Sequence, residues 1–167
     1  CGSSRLAKYL IEAGASRYTG YDISSVAINN ARKLAIEARI DDKADYVISD
    51  INSLPELDAD IIFSIGLLDW LSDSEIKSLL RKSGQCHCLH SFSELRFSLS
   101  QILHRVYVQI AYGYRTHNYR PRYLKADWLA SIIGEHSSRP VHLIRDQRLS
   151  FGTFVFTLPN NISLPQK

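Results

Sequence analysis

Two carboxylates and a hydroxyl stand where an α/β chain of parallel strands does its chemistry. Arg17–Tyr21 reads as a strand ending at Asp22, Asp45–Ser49 as a second ending at Asp50, and Asp60–Ile65 as a third that carries Ser64. In an open parallel sheet, ligands bind beyond the carboxyl ends of the strands, near the point where strand order reverses. Asp22 lies twenty residues after Gly2, with a helix and a strand between them. That spacing sets an acid against a ribose once a glycine turn has let the ligand approach. A carboxylate accepts from both ribose hydroxyls at once, which a lone amide cannot do. The plainer alternative, for Asp50 above all, is an acid that caps a turn or a helix.

The elements that position these groups follow from periodicity. Leu6, Ala7, Leu10 and Ile11 share one face of a short helix, and Gly14 stands where a helix end takes a left-handed residue. Ser24 or Ser25 caps the next helix, on which Ala27, Ala31, Leu34, Ala35 and Ala38 keep a helical period. Asp60–Ile65 has the continuous apolar run of a strand buried on both faces. Ser72-Asp73-Ser74-Glu75 is a capping box, opening a helix that stops at Ser83-Gly84 before a strand from Gln85 to Phe92. The alternation implies right-handed crossovers and a parallel sheet. Trp128, Leu129, Ile132 and Ile133 form a later helix ended by Gly134, and strands near Val141–Ile144 and Thr153–Thr157 close the chain as an antiparallel pair.

Composition bounds the answer. The 167 residues suffice for one well-buried domain, 45% are hydrophobic and 22% charged, and the formal net charge is +3. That bias is too small to make nucleic acid or a membrane surface the main partner. No apolar run approaches the roughly 18 residues of a membrane helix. Three cysteines, an odd number, fit a reducing, cytoplasmic setting. In Cys86-His87-Cys88-Leu89-His90, alternation puts Cys86, Cys88 and His90 on one face. Three ligands two apart on a straight strand do not converge on one tetrahedral ion, so no metal is expected.

Four segments carry a resemblance. Cys1-Gly2-Ser3-Ser4-Arg5-Leu6-Ala7 resembles the second half of the glycine-rich first motif of class I S-adenosylmethionine-dependent methyltransferases. Tyr18-Thr19-Gly20-Tyr21-Asp22-Ile23-Ser24 is similar to their second motif and Ser49-Asp50-Ile51 to their third. Asp60 to Leu71 is similar to their fourth strand and the loop after it. The resemblance implies a Rossmann-like α/β fold, mostly parallel with an antiparallel last strand and helices on both faces. It implies S-adenosyl-L-methionine as cofactor. By position, Gly2 and Ser3 approach the methionine part through their backbone. Asp22 holds the ribose hydroxyls and Ile23 flanks the adenine. Asp50 accepts from the adenine amino group beside Ile51, and Ser64 with Ile65 borders the methionine end. The family's usual glycine falls at Ser4, where a side chain crowds the turn. The family's first strand and the start of its first motif would lie before Cys1, so the chain reads as one that has lost its beginning.

For the chemistry itself the candidates are weak. Asp69 follows the third strand, and His90 and Glu94 are expected on the rim at the end of the next; each is a candidate helper base. The segment 96–125 reads as a substrate lid inserted in a domain spanning 1–159, with a loose tail at 160–167. Its Tyr112, Tyr114, Arg115, Tyr119, Arg120, Arg122 and Tyr123 combine apolar rings with guanidinium groups. That surface suits a small anionic or aromatic methyl acceptor. The plainer alternative makes the stripe Leu99, Ile102, Leu103, Val106 and Ile110 part of the core and the Tyr/Arg loop ordinary surface. Ser64-Ile65-Gly66-Leu67 stands where amino-methylating relatives carry an Asn-Pro-Pro-Tyr type loop, which leans toward O- or C-methylation. Three other readings stand beside this one. They are an RNA methyltransferase using the interleaved Tyr and Arg, a non-catalytic or partner-completed domain, and a nicotinamide-binding Rossmann domain. The oligomeric state is not legible in the sequence.

Overall fold

The computed structural model describes residues 2, 4–96, 99–112, 122–145 and 152–157, and in the helix 99–112 the side chains at 99, 101–103, 106, 107 and 110. The chain forms two compact units, Cys1–Pro55 and Glu56–Lys167. Among the described residues no helix is long and apolar enough to cross a membrane.

The first unit runs α1 (Leu6–Glu12), β1 (Tyr18–Asp22), α2 (Ser25–Glu37) and β2 (Ala44–Ile48). β1 and β2 pair in parallel with Asp22 opposite Ile48, so the sequence-predicted strand ends come out side by side. Small residues set the packing. Ile28, Ala31 and Ala35 are the buried face of α2. Tyr18 and Tyr46 lie buried on neighbouring strands with ring centroids 5.9 Å apart, and Gly20 faces Tyr46 across the pair. Ser24 caps α2 by accepting from the Ala27 amide at 3.2 Å. Leu34, counted on the buried stripe from its spacing, is 39% exposed, and Ile28 takes its place. Alanines leave a helical stripe ambiguous by a residue either way, and the larger side chain decides it.

The end of α2 is a Schellman motif. The Ile40 amide donates to the Ala35 carbonyl and the Arg39 amide to the Ile36 carbonyl, both at 3.0 Å, while Ile40 is buried. The left-handed position, φ +57°, falls to Arg39 rather than to a glycine.

The second unit runs β3 (Ile61–Ile65), a single 3-10 turn at Leu68–Trp70, α3 (Asp73–Ser83), β4 (His87–Ser93), α4 (Leu99–Tyr112), α5 (Ala126–His136), β5 (Val141–Arg145) and β6 (Gly152–Thr157). Its sheet has the order β3-β4-β6-β5. β3 and β4 are parallel, and β6 is antiparallel to both β4 and β5. The closing pair is thus the expected antiparallel one. The capping box forms: Ser72 Oγ accepts from the Glu75 amide, and Glu75 Oε2 accepts from the Ser72 amide at 2.8 Å. Gly84 ends α3 with φ +52°. Ile76, Leu79 and Leu80 of α3, Leu129, Ile132 and Ile133 of α5, and Cys88, Phe92 and Val155 of the sheet are all buried.

Two expectations and one plainer alternative fail here. Among the described residues β3 is the end strand of its unit's sheet, and Ile61 and Ile65 are 51% and 58% exposed; an unbroken apolar run has no period and does not report how many faces are covered. Gly134 does not end α5, which continues to His136. The stripe on α4 is not core, since Leu99, Ile102, Leu103, Val106 and Ile110 are all more than half exposed.

Arg39→Gly relieves the left-handed strain at an exposed site. It is expected to raise unfolding free energy by about 1 kcal/mol, read as a higher urea midpoint at unchanged slope.

Candidate cofactor-binding site

In the first unit the carboxyl end of β1 is organised around Asp22. Its Oδ2 accepts from the Gly2 amide at 2.8 Å and its Oδ1 from the Ser24 amide at 2.9 Å. One side chain therefore ties the glycine turn ahead of α1 to the start of α2. Partial burial pulls the Asp22 pKa up, but hydrogen bonds, including those two, outweigh it and hold the carboxyl below its usual value. Gly2 has φ +53°, the left-handed conformation that makes glycine the ready choice there.

Ser4, at the family's usual glycine position, has φ +51°. Its hydroxyl donates to Tyr18 Oη at 2.9 Å. Burial raises the pKa of that phenol, with the Ser4 hydrogen bond opposing.

β2 ends on a different turn. Asp50 Oδ1 accepts from the Asn52 and Ser53 amides at 2.7 and 3.1 Å, and Oδ2 from the Ser53 hydroxyl at 2.9 Å. Asp50 thus does cap a turn, as its plainer alternative had it. It also lines a cleft of about 640 Å³ with Tyr21, Ile23, Ser49, Ser53, Pro55 and the β2 residues Val47 and Ile48. Ile23 is 74% exposed. Asp22 and Ile51 are not among the lining residues. Tyr21, Val47, Ile48, Ser49, Ser53 and Pro55 were missed from sequence. Strand alternation puts Tyr21 and Ile23 on one side and Asp22 on the other, and a serine three residues past a strand-end aspartate is a turn signature.

In the second unit the loop after β3 is fastened to β4 by side chains. Ser64 Oγ lies 2.8 Å from His90 Nδ1, the Gly66 amide donates to Ser91 Oγ at 2.9 Å, and Ser93 gives Asp69 its amide and its hydroxyl, each at 2.8 Å. Ile65 is exposed between them. Asp69 is 8% exposed and occupied with Ser93. His90 is not on a rim: it is fully buried in mid-strand, and among the described residues its Nε2 has no hydrogen-bond partner. Glu94 is also buried, and accepts from Arg96 at 2.7 Å, Thr153 at 2.7 Å and Arg145 at 2.9 Å.

Within the lid segment, the Leu124 amide donates to the Ser93 carbonyl and the Leu124 carbonyl accepts from the Leu95 amide. Arg122 hydrogen-bonds to the Leu71 carbonyl at 2.7 Å and pairs with Asp73. Its guanidinium therefore holds the start of α3. Tyr123 is half-buried beside it in sequence. Ser3, Tyr114, Arg115, Tyr119, Arg120, the side chain of Tyr112 and the tail 160–167 lie outside the described residues. Among those described, no three His, Cys, Asp or Glu side chains meet as a metal-holding group.

A family model described as a methyltransferase domain matches residues 1–86, just over half of the chain. The chain belongs to the methyltransferase domain family. No curated protein sequence matches it. Among solved structures it is similar to the apo form of the S-adenosylmethionine-dependent methyltransferase SibL, with TM-score 0.71, 19% identity, and coverage of 93% of this chain and 47% of that one. It is also similar to magnesium protoporphyrin IX methyltransferase (ChlM) from Synechocystis PCC 6803 with bound SAH: TM-score 0.66, 18% identity, 93% and 69% coverage. For the mitomycin 7-O-methyltransferase MmcR the values are 0.67, 15%, 93% and 45%. The fold is therefore the Rossmann-like α/β fold of class I methyltransferases. The chain spans about half the length of SibL and MmcR.

Two buried groups give this methyltransferase domain a defined response to acid. Burial pushes the His90 pKa down from 6.5 to about 4. Burial pushes Glu94 up, but Arg145, Thr153 and Arg96 outweigh it and bring its pKa from 4.5 to about 2. Between pH 6.5 and 4 the unfolded chain binds a proton at His90 that the folded chain does not, so stability falls as pH falls. The His90 shift corresponds to about 3 kcal/mol across that window. Glu94 adds a second loss below 4.5 as pH drops toward 2. Urea unfolding at successive pH values is expected to show both losses, and His90→Leu to remove the slope between 6.5 and 4 while leaving the lower one.

Proposed function

We propose that this domain transfers the methyl group of S-adenosyl-L-methionine to a small-molecule acceptor, with O- or C-methylation favoured. The observation that carries the reading is the pair of strand-end carboxylates on adjacent parallel strands, Asp22 and Asp50, in a chain of the methyltransferase family. The residues suit a nucleoside. Ile23, Val47, Ile48 and Pro55 offer the cleft apolar surface, and Ser49, Asp50 and Ser53 line it with acceptors and hydroxyls.

Asp22 would hold the ribose hydroxyls. It is kept ionised and oriented by the Gly2 and Ser24 amides, and each carboxylate oxygen accepts more than one hydrogen bond. Asp50, with three acceptances used in its own turn, would take the adenine amino group through what remains. Ile23 and Ile51 would pack beside the ring, and the resemblance assigns Gly2, Ser3, Ser64 and Ile65 to the methionine portion.

When bound, the cofactor supplies an electrophilic methyl on a sulfonium, and transfer is an in-line displacement in which positioning does most of the work. The chain's part is to orient and to exclude water. None of Asp69, His90 or Glu94 is favoured as a base. Asp69 is hydrogen-bonded to Ser93, His90 is buried and bonded to Ser64, and Glu94 is neutralised by two arginines. An acceptor hydroxyl or carbon acid would give its proton to water or to a group on the lid. A small anionic or aromatic acceptor remains the favoured class. An RNA acceptor draws no support from Arg122, which is spent on Leu71 and Asp73.

Calorimetric titration of S-adenosylhomocysteine tests the reading. Micromolar binding weakened at least about tenfold by Asp22→Ala is expected, as for loss of a charge-assisted hydrogen bond of about 1.5–3 kcal/mol. Binding indifferent to Asp22→Ala would overturn the assigned site.

A further inference from the structure

We infer that α4 is a self-association surface, pairing antiparallel with α4 of a second copy of this chain about a two-fold axis. Leu99, Ile102, Leu103, Val106, Tyr107 and Ile110 are 51–81% exposed on this fourteen-residue helix. Gln101, among the described side chains of α4, roots the helix in its own unit. It is 2% exposed, donates to the Glu94 carbonyl at 2.7 Å and accepts from the Arg96 amide at 3.1 Å.

The exposed apolar set is its own complement. In an antiparallel pair centred between positions 104 and 105, Leu99 faces Ile110, Ile102 faces Tyr107 and Leu103 faces Val106. Every one of the six meets an apolar partner, as an isologous contact requires. Their spacing is that of a single stripe along a helix, so one straight seam engages all of them.

Area and charge both favour a second copy. At the observed exposures the six residues present roughly 600–700 Å² per copy, so a symmetric pair has up to about 1,200 Å² to bury, which reaches the lower bound of specific interfaces. Monomeric proteins seldom leave so many large apolar groups contiguous on one element. The stripe carries no charge, and across Leu99–Tyr112 Arg105 is the one Asp, Glu, Lys or Arg. A membrane-surface helix would want a Lys/Arg-rich polar face, and an acidic or basic partner would want an opposite charge to meet. With no charge on the stripe, the apolar seam itself holds no like charges to repel a second copy.

Sedimentation velocity and equilibrium on this chain, at concentrations from about 1 to 100 µM, test the inference. A dimer with a micromolar dissociation constant is expected, weakened at least about tenfold by Leu103→Glu or by Val106→Lys, since each sets a charge in the seam. Both positions are exposed, so circular dichroism and the melting curve, measured well below the dissociation constant where the chain is monomeric, should be unchanged. Register is tested by mixing the two variants. Position 103 of one faces position 106 of the other, so the mixture should form heterodimers that neither variant forms alone. A chain that stays monomeric to 100 µM, a dimer insensitive to both substitutions, or folded variants that fail to recombine would each overturn the proposal.

Discussion

Where parallel strands end, the ladder stops and backbone amides need new acceptors. Much of this domain's polar architecture answers that constraint. Asp22 takes the amides of Gly2 and Ser24, Asp50 those of Asn52 and Ser53, and Asp69 that of Ser93. Ser91 does the same for Gly66. A short acidic or hydroxyl side chain fixes the turn and at the same time leaves an oriented acceptor at the sheet's functional edge. A turn-fixing role at these positions is therefore compatible with the ligand-binding role proposed for Asp22 and Asp50, since one carboxylate can serve both.

The sequence made the order of elements legible because each carries a local signal. The capping box at Ser72, the Ser24 cap and the strand-end acids are read from residue type and spacing, and all lie where those signals put them. What was illegible depends on neighbours that are remote in sequence. The exposure of Ile61 and Ile65 follows from β3 being, among the described residues, the end strand of its unit's sheet, and the burial of His90 from its place between β3 and β6. Tyr21 and Val47 enter the cleft because β1 and β2 pair with Tyr21 opposite Val47. No local pattern announces such a pairing. Glu94 could have been suspected only as a charge, since its partners Arg145 and Thr153 come some fifty residues later.

Arg122 shows how a functional-looking residue can be claimed by the scaffold. From composition it belonged with the lid arginines as a ligand for an anion. Its guanidinium instead satisfies the Leu71 carbonyl and Asp73, next to the cap of α3. The backbone on either side is held as well, the Arg122 amide by the Asp69 carbonyl and the Leu124 amide by the Ser93 carbonyl. The chain thus enters α5 from a fixed point.

The turn at Ser4 has a consequence for how such domains are found. Its backbone sits at φ +51° with a serine in place, and the hydroxyl bonds to Tyr18. A left-handed non-glycine residue costs on the order of 1 kcal/mol, and a hydrogen bond to a buried phenol is of comparable size. What the turn demands is therefore a backbone shape, not a glycine. A search pattern that insists on the letter G at this position will pass over relatives that reach the same shape by pairing serine with a tyrosine fourteen residues downstream, and the informative signature is that pair.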